Sequence, residues 1–222
     1  MFKNKTVVIT GGSNGLGYAL GKLLSELGAN VTSLDIVVPK EKIKGVNYSI
    51  CNIINSSQIK KAMNNLKKID LLICNAGVMA RGNLFEVSEE EYDLLMNVNV
   101  KGPWLTLKTS HEKLSSKSVV LFISSRHGAY LNPNPAIYSL SKSALIDMAT
   151  LLRKTKNVGV KVAALGPFDT AVSRHGVSKS DLKKKLKIMK SPEEIAHLLL
   201  SFVLSDQDNL MYDQEKNKYF YA

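Results

Sequence analysis

Tyr138 and Lys142 stand four residues apart in the run YSLSK, and Ser125 lies thirteen residues upstream. Residues i and i+4 share one face of a helix, so a phenol and an ammonium spaced this way point at the same ligand. A phenol is a poor acid or base near neutrality, but an ammonium beside it favours the phenolate and should lower its pKa. Near the start of the chain, TGGSNGLG (Thr10 to Gly17) is a glycine-rich turn of the kind that lets backbone approach a phosphate. Together these features predict proton transfer beside a bound nucleotide, the chemistry of nicotinamide redox enzymes.

These residues need elements to position them. The glycine turn follows the strand pattern VVIT and runs into the helix pattern LGYALGKLLSEL, the context such a turn requires. Gly11 permits the tight bend, Gly15 the close approach of a pyrophosphate, and Gly17 the packing of the helix, whose N-terminus faces the anion. The loop residues Ser13, Asn14 and Leu16 belong to the same cradle. Asp35 ends the next strand pattern, VTSLD, eighteen residues beyond Gly17. A carboxylate there accepts both ribose hydroxyls of an adenosine and repels a 2′-phosphate, so NAD(H) is expected in preference to NADP(H).

Short apolar runs alternate with amphipathic ones, as in repeated βαβ units. Strands are expected at Thr6 to Thr10, Asn30 to Leu34, Val46 to Ser49, Asp70 to Cys74, Ser118 to Ser124 and Val160 to Leu165. Helices are expected at Gly15 to Leu27, Ser56 to Leu66, Glu89 to Lys113, Tyr138 to Lys154 and Pro192 to Leu204. The fold class is therefore α/β: one Rossmann-type domain spanning 1–222, a doubly wound parallel sheet in three αβα layers, with ligands at the carboxyl ends of the strands.

The bulk properties agree. A chain of 222 residues, 45% of them hydrophobic, can bury one substantial core. The N-terminus enters a strand directly, no apolar run approaches membrane-spanning length, and a cytoplasmic location without membrane association is expected. Cys51 and Cys74 have neither CxxC nor metal-ligand spacing and read as reduced core thiols, so no metal is expected. The net charge of +11 is spread along the chain. Its densest cluster, Lys183, Lys184, Lys185, Lys187 and Lys190, has no interleaved aromatic residues and reads as a solvated helix face, not a nucleic-acid platform.

In these motifs the chain resembles the short-chain dehydrogenase/reductase family, in its compact branch with the pattern TGxxxGxG, from Thr6 to about Asp206. The segment CNAG places Asn75, Ala76 and Gly77 at the family's NAG segment beside the adenosine ribose. NVNVKG places Asn99 at its active-site asparagine, and ISS with YSLSK places Ser125, Tyr138 and Lys142 at its catalytic positions. The resemblance implies that Tyr138 exchanges a proton with an alcohol or carbonyl and that Lys142 also holds the nicotinamide ribose. It further implies that Ser125 binds the substrate oxygen and that Asn99 holds a water leading from Lys142 to solvent. It implies a homodimer or homotetramer as well, paired through the helices near Gly102 to Lys113 and Tyr138 to Lys154.

The chain departs from the pattern in places. LGPFDT replaces PGxVxT after the sixth strand, leaving Gly166, Phe168 and Thr170 as the matching cofactor contacts. Asn52, followed by Ile53, stands where an aspartate commonly meets the adenine amino group. The substrate lid near 171–191 is short, and the tail from Ser205 lacks the usual glycine-rich ending, although KYFYA could form a last strand. Arg81, Arg126 and His127, with Arg174 and His175 in the lid, could surround the pocket mouth and favour an anionic substrate. A non-catalytic NAD-binding regulator or scaffold with the same fold is the alternative from another class.

Overall fold

A computed structural model describes residues 1–169, 174, 186 and 189–222. Eight strands form one sheet in the order β3-β2-β1-β4-β5-β6-β7-β8. They are β1 (Thr6–Thr10), β2 (Asn30–Asp35), β3 (Val46–Ile50), β4 (Leu71–Cys74), β5 (Val119–Ser125), β6 (Gly159–Leu165), β7 (Asn209–Asp213) and β8 (Lys218–Tyr221). The first seven are parallel, and β8 returns antiparallel beside β7.

The strands read as continuous apolar runs because successive side chains enter two different cores. Val7, Ile9, Ile73, Leu121 and Ile123 face α1 (Gly15–Glu26) and the last helix, α7 (Pro192–Leu204). Val8, Leu72, Cys74, Val120 and Phe122 face the other way. There they meet α2 (Ser56–Ala62), α4 (Gly102–Ser110) and α6 (Ala136–Thr155). A parallel sheet covered by helices on both faces is the arrangement expected. Both cysteines are buried and unpaired, and burial pushes their thiols up, Cys51 to about 11 and Cys74 to about 12.

Several elements differ from expectation, and α2 stops at Ala62, four residues short of the expected Leu66. The long helix expected from Glu89 to Lys113 is interrupted: α3 (Glu89–Met96) passes into a π-helical turn at Asn97–Lys101, then α4, then a 3₁₀ turn at His111–Lys113. Pro103 supplies a reason, because it has no N–H to donate to the main-chain oxygen of Asn99 four residues back. A short helix that was not expected, α5 (Arg126–Tyr130), follows β5. The tail forms a hairpin: KYFY does make the last strand, but it pairs with β7, which was not expected. The capping boxes at Ser88 with Glu91 and Ser191 with Glu194 both form.

Of the lid at 171–191, only Arg174, Leu186 and 189–191 are described, and Lys190 is the one member of the lysine cluster among them. No described helix is long and apolar enough to cross a membrane. Phe122, with no exposed surface, is among the largest fully buried side chains between β5 and the α4 and α6 layer. Phe122→Ala is expected to lower the free energy of unfolding by about 3–5 kcal/mol, measured by urea denaturation.

Candidate active site

The glycine turn is built by the segment after β4. Thr10 Oγ1 accepts from the backbone N–H groups of Asn75 (3.0 Å) and Ala76 (3.1 Å). Asn75 Nδ2 donates back to the main-chain oxygens of Thr10 (3.0 Å) and Gly11 (3.1 Å). Gly11 has φ +69°, and a Cβ on it would lie 2.8 Å from Ala76 Cα. A Cβ on Gly17 would lie 2.1 Å from the Gly11 carbonyl oxygen, so only glycine lets α1 start this close to the turn.

Asn14 occupies the N-cap of α1 but makes no side-chain cap hydrogen bond, and the first turn carries no acidic residue. The N–H groups that open this helix are thus left for an anion. Leu16 and Ser13 are buried beneath the turn. Asp35 is tied to it: one carboxylate oxygen accepts from Ser13 N at 2.9 Å and the other from Val37 N at 3.4 Å. Its fixed orientation leaves lone pairs for ribose hydroxyls. The turn, the open helix end and Asp35 therefore fit a dinucleotide.

At the carboxyl end of β5 the four remaining polar residues gather in a buried cluster. Asn99, Ser125, Tyr138 and Lys142 are all buried. Lys142 Nζ donates to the Ile123 main-chain oxygen at 3.0 Å and lies 5.8 Å from the centre of the Tyr138 ring. The Ser125 hydroxyl is close enough to the phenol to favour its charged form. It also accepts from His127 N at 3.2 Å, capping α5, which leaves its own proton to donate elsewhere.

Gly77 links this cluster to the nucleotide side, since a Cβ there would lie 3.1 Å from Lys142 Nζ and 3.3 Å from Asn99 Oδ1. Asn99 closes both sides of Val78: Oδ1 accepts from Val78 N (2.8 Å) and Nδ2 donates to Val78 O (2.9 Å). Its second Nδ2 proton goes to Ser141 Oγ at 3.0 Å, which donates in turn to the Tyr138 main-chain oxygen at 2.8 Å.

Residues 5–181 match the family described as short chain dehydrogenase. The chain belongs to the short-chain dehydrogenase/reductase family. It is 32% identical over 215 residues to an oxidoreductase of Thermotoga maritima, covering 90% of this chain and 82% of that one. Its fold is shared with a Burkholderia cenocepacia short-chain dehydrogenase solved with NADP: TM-score 0.83, 23% identity, covering 97% and 90% of the two chains. A Brucella melitensis 3-ketoacyl-(acyl-carrier-protein) reductase solved with NADH gives TM-score 0.81 at 21% identity, covering 98% and 100%.

Within this short-chain dehydrogenase, the phenol departs from expectation. Burial pushes Tyr138 up to about 12, and the nearby Ser125 hydroxyl only partly offsets it. Burial likewise pushes the Lys142 amine down to about 8. Desolvation of each charged form therefore outweighs the attraction on which the lowered phenol pKa was premised. The Asn52 side-chain oxygen accepts from Ile54 N at 3.2 Å and keeps a second lone pair. Ile53 points into the fold, where its side chain fills the space over Gly102.

Gly166 is buried and Phe168 half-buried in the loop after β6, while Thr170 lies outside the described residues. Among the loop cations, Arg126 and His127 sit on α5, and the His127 ring meets the Tyr138 ring edge-on at 6.0 Å. Arg81 precedes Gly82, whose N–H donates to Asn134 Oδ1 (3.2 Å) in the loop before α6. Arg174 does not stand free at the pocket mouth, because it forks onto Asp169 at 2.7 and 2.6 Å. His175 lies outside the described residues.

Sequence reasoning missed Ser141 and Ser124, which act through others. Ser124 Oγ donates to the Lys142 main-chain oxygen at 2.7 Å. Their signal was a second serine beside each expected catalytic residue, in ISS and YSLSK. Ser141→Ala would leave a buried Asn99 proton unpartnered and is expected to cost about 1–3 kcal/mol of unfolding free energy, read by chemical denaturation.

Proposed function

We propose that this chain is an NAD(H)-dependent oxidoreductase that interconverts an alcohol and a carbonyl, with Tyr138 as the proton donor and acceptor. One observation carries this reading: a neutral phenol and a buried amine lie together with a serine hydroxyl at the carboxyl end of β5, with only β4 between it and β1, which feeds the glycine turn. A nicotinamide cofactor would supply or accept the hydride. Gly11, Ser13, Asn14, Gly15, Leu16 and Gly17 would hold its pyrophosphate. Asp35 would hold the adenosine ribose and disfavour a 2′-phosphate, which supports NAD(H). Asn75, Ala76, Gly77, Asn52 and Ile53 would line the adenosine side, and Gly166, Phe168 and Thr170 the nicotinamide side.

In reduction, Ser125 donates a hydrogen bond to the substrate oxygen while Tyr138 transfers its proton to it. The high phenol pKa keeps that proton in place at neutral pH until the oxygen becomes basic. Lys142, its amine lowered to about 8, returns a proton to the phenolate. The Asn99 side chain has both N–H protons engaged, so its main-chain oxygen, which Pro103 cannot bond, is the group to hold a water leading outward. Arg126, next to Ser125, together with Arg81 and His127, supports a substrate bearing a carboxylate or phosphate. Exposed Trp104 on α4 and Leu140 and Leu151 on α6 support pairing of these helices in a homo-oligomer.

A panel of ketones and aldehydes assayed with NADH and NADPH, and of their alcohols assayed with NAD⁺ and NADP⁺, tests this proposal. The expected outcome is turnover favouring NADH, reduced about 10²- to 10⁴-fold in Tyr138→Phe while NADH binding persists. Full activity in Tyr138→Phe, or no turnover with either cofactor, would sink it.

A further inference from the structure

The C-terminal hairpin ends at the loop that follows β6. A Cβ on Gly166 would lie 2.5–2.6 Å from ring carbons of Tyr212 on β7, so that aromatic face lies directly against the glycine backbone. The Gly166 N–H donates to the Tyr219 hydroxyl on β8 at 3.2 Å. The two rings meet edge to face, 5.2 Å apart. Tyr212 also hydrogen-bonds Asn217 in the hairpin turn. From α5, the Tyr130 hydroxyl donates to the Tyr212 main-chain oxygen at 3.1 Å. Burial keeps the Tyr219 hydroxyl protonated by pushing it up to about 12, so its oxygen is a neutral acceptor. The hairpin thus touches the loop carrying Gly166 and the helix capped by Ser125, and β5 and β6 end side by side with Ser125 opposite Leu165.

We propose that Tyr219 is a positioning residue: through the Gly166 N–H, the C-terminal hairpin fixes the post-β6 loop in the shape that receives the nicotinamide half of the cofactor. This rests on the nicotinamide reading above. The adenosine half is assigned above to the glycine turn and Asp35 at the ends of β1 and β2, which β4, β5 and β6 separate from the hairpin. Removing the Tyr219 hydroxyl should therefore weaken binding of the whole dinucleotide and leave binding of its ADP half unchanged.

The test uses the full chain and two conservative variants, Tyr219→Phe and Tyr221→Phe. Tyr221 lies on the same strand, where its ring stacks on Phe202, 5.9 Å between centres. Titration calorimetry would measure NADH and ADP binding, and NMR would follow exchange of the Gly166 amide. The expected result in Tyr219→Phe is faster Gly166 exchange and an NADH Kd raised about threefold to tenfold, the range for one lost neutral hydrogen bond. Its ADP affinity and all values for Tyr221→Phe should match wild type. An unchanged NADH Kd in Tyr219→Phe, or equal losses for NADH and ADP, overturns the inference alone. A wild-type chain that binds ADP or no nucleotide at all but never NADH overturns the nicotinamide reading together with it.

Discussion

The burial of Lys142 is the constraint around which the candidate site is organised. An ammonium removed from water is costly unless polar groups replace its hydration. Here the compensation comes from the Ile123 carbonyl. Space for the amine exists because residue 77 is glycine. Its helix is held by Ser124 at the Lys142 carbonyl, and α5 lies against that same peptide because residue 128 has no side chain: a Cβ there would sit 2.5 Å from the Lys142 carbonyl carbon. The sheet, α5, α6 and the segment after β4 must all be in register for this one amine to be tolerated.

The electrostatic consequence is a separation of two groups whose ordinary pKa values nearly coincide. One environment raises the phenol and lowers the amine, because each is the charged form's loss of solvent seen from the opposite sign. Such divergence is a pattern of acid and base pairs at catalytic sites. The π-helical turn supports it from the side: Asn99 joins Val78 to Ser141, and Ser141 joins that turn to the helix carrying Tyr138.

Much of this was legible in the chain. Parallel strands buried on both faces leave unbroken apolar runs, so β1 through β6 could be found within a residue or so of their ends. The glycine turn could be read because each glycine answers a backbone requirement. The break in the Glu89–Lys113 helix was signalled by Pro103 but hidden because apolar residues continue on both sides of it. KYFY was legible as a last strand, but β7 was obscured because NLMYD is short and mixes apolar with polar residues, only Leu210 and Tyr212 being buried. The phenol pKa could not be read at all, since spacing gives the neighbour but not the degree of burial, and burial decides the sign.

The most direct test of the central claim is a pH titration of the ligand-free protein carrying ¹³C-labelled lysine, following the Cε resonance that disappears in Lys142→Met. A buried amine held as described loses its proton near pH 8. Below that midpoint the folded chain bears the cost of the buried charge; between it and the unfolded lysine value, the unfolded chain binds more protons and this group's contribution to stability rises with pH. A Lys142 midpoint among the surface lysines, at about 10.4, would contradict the account.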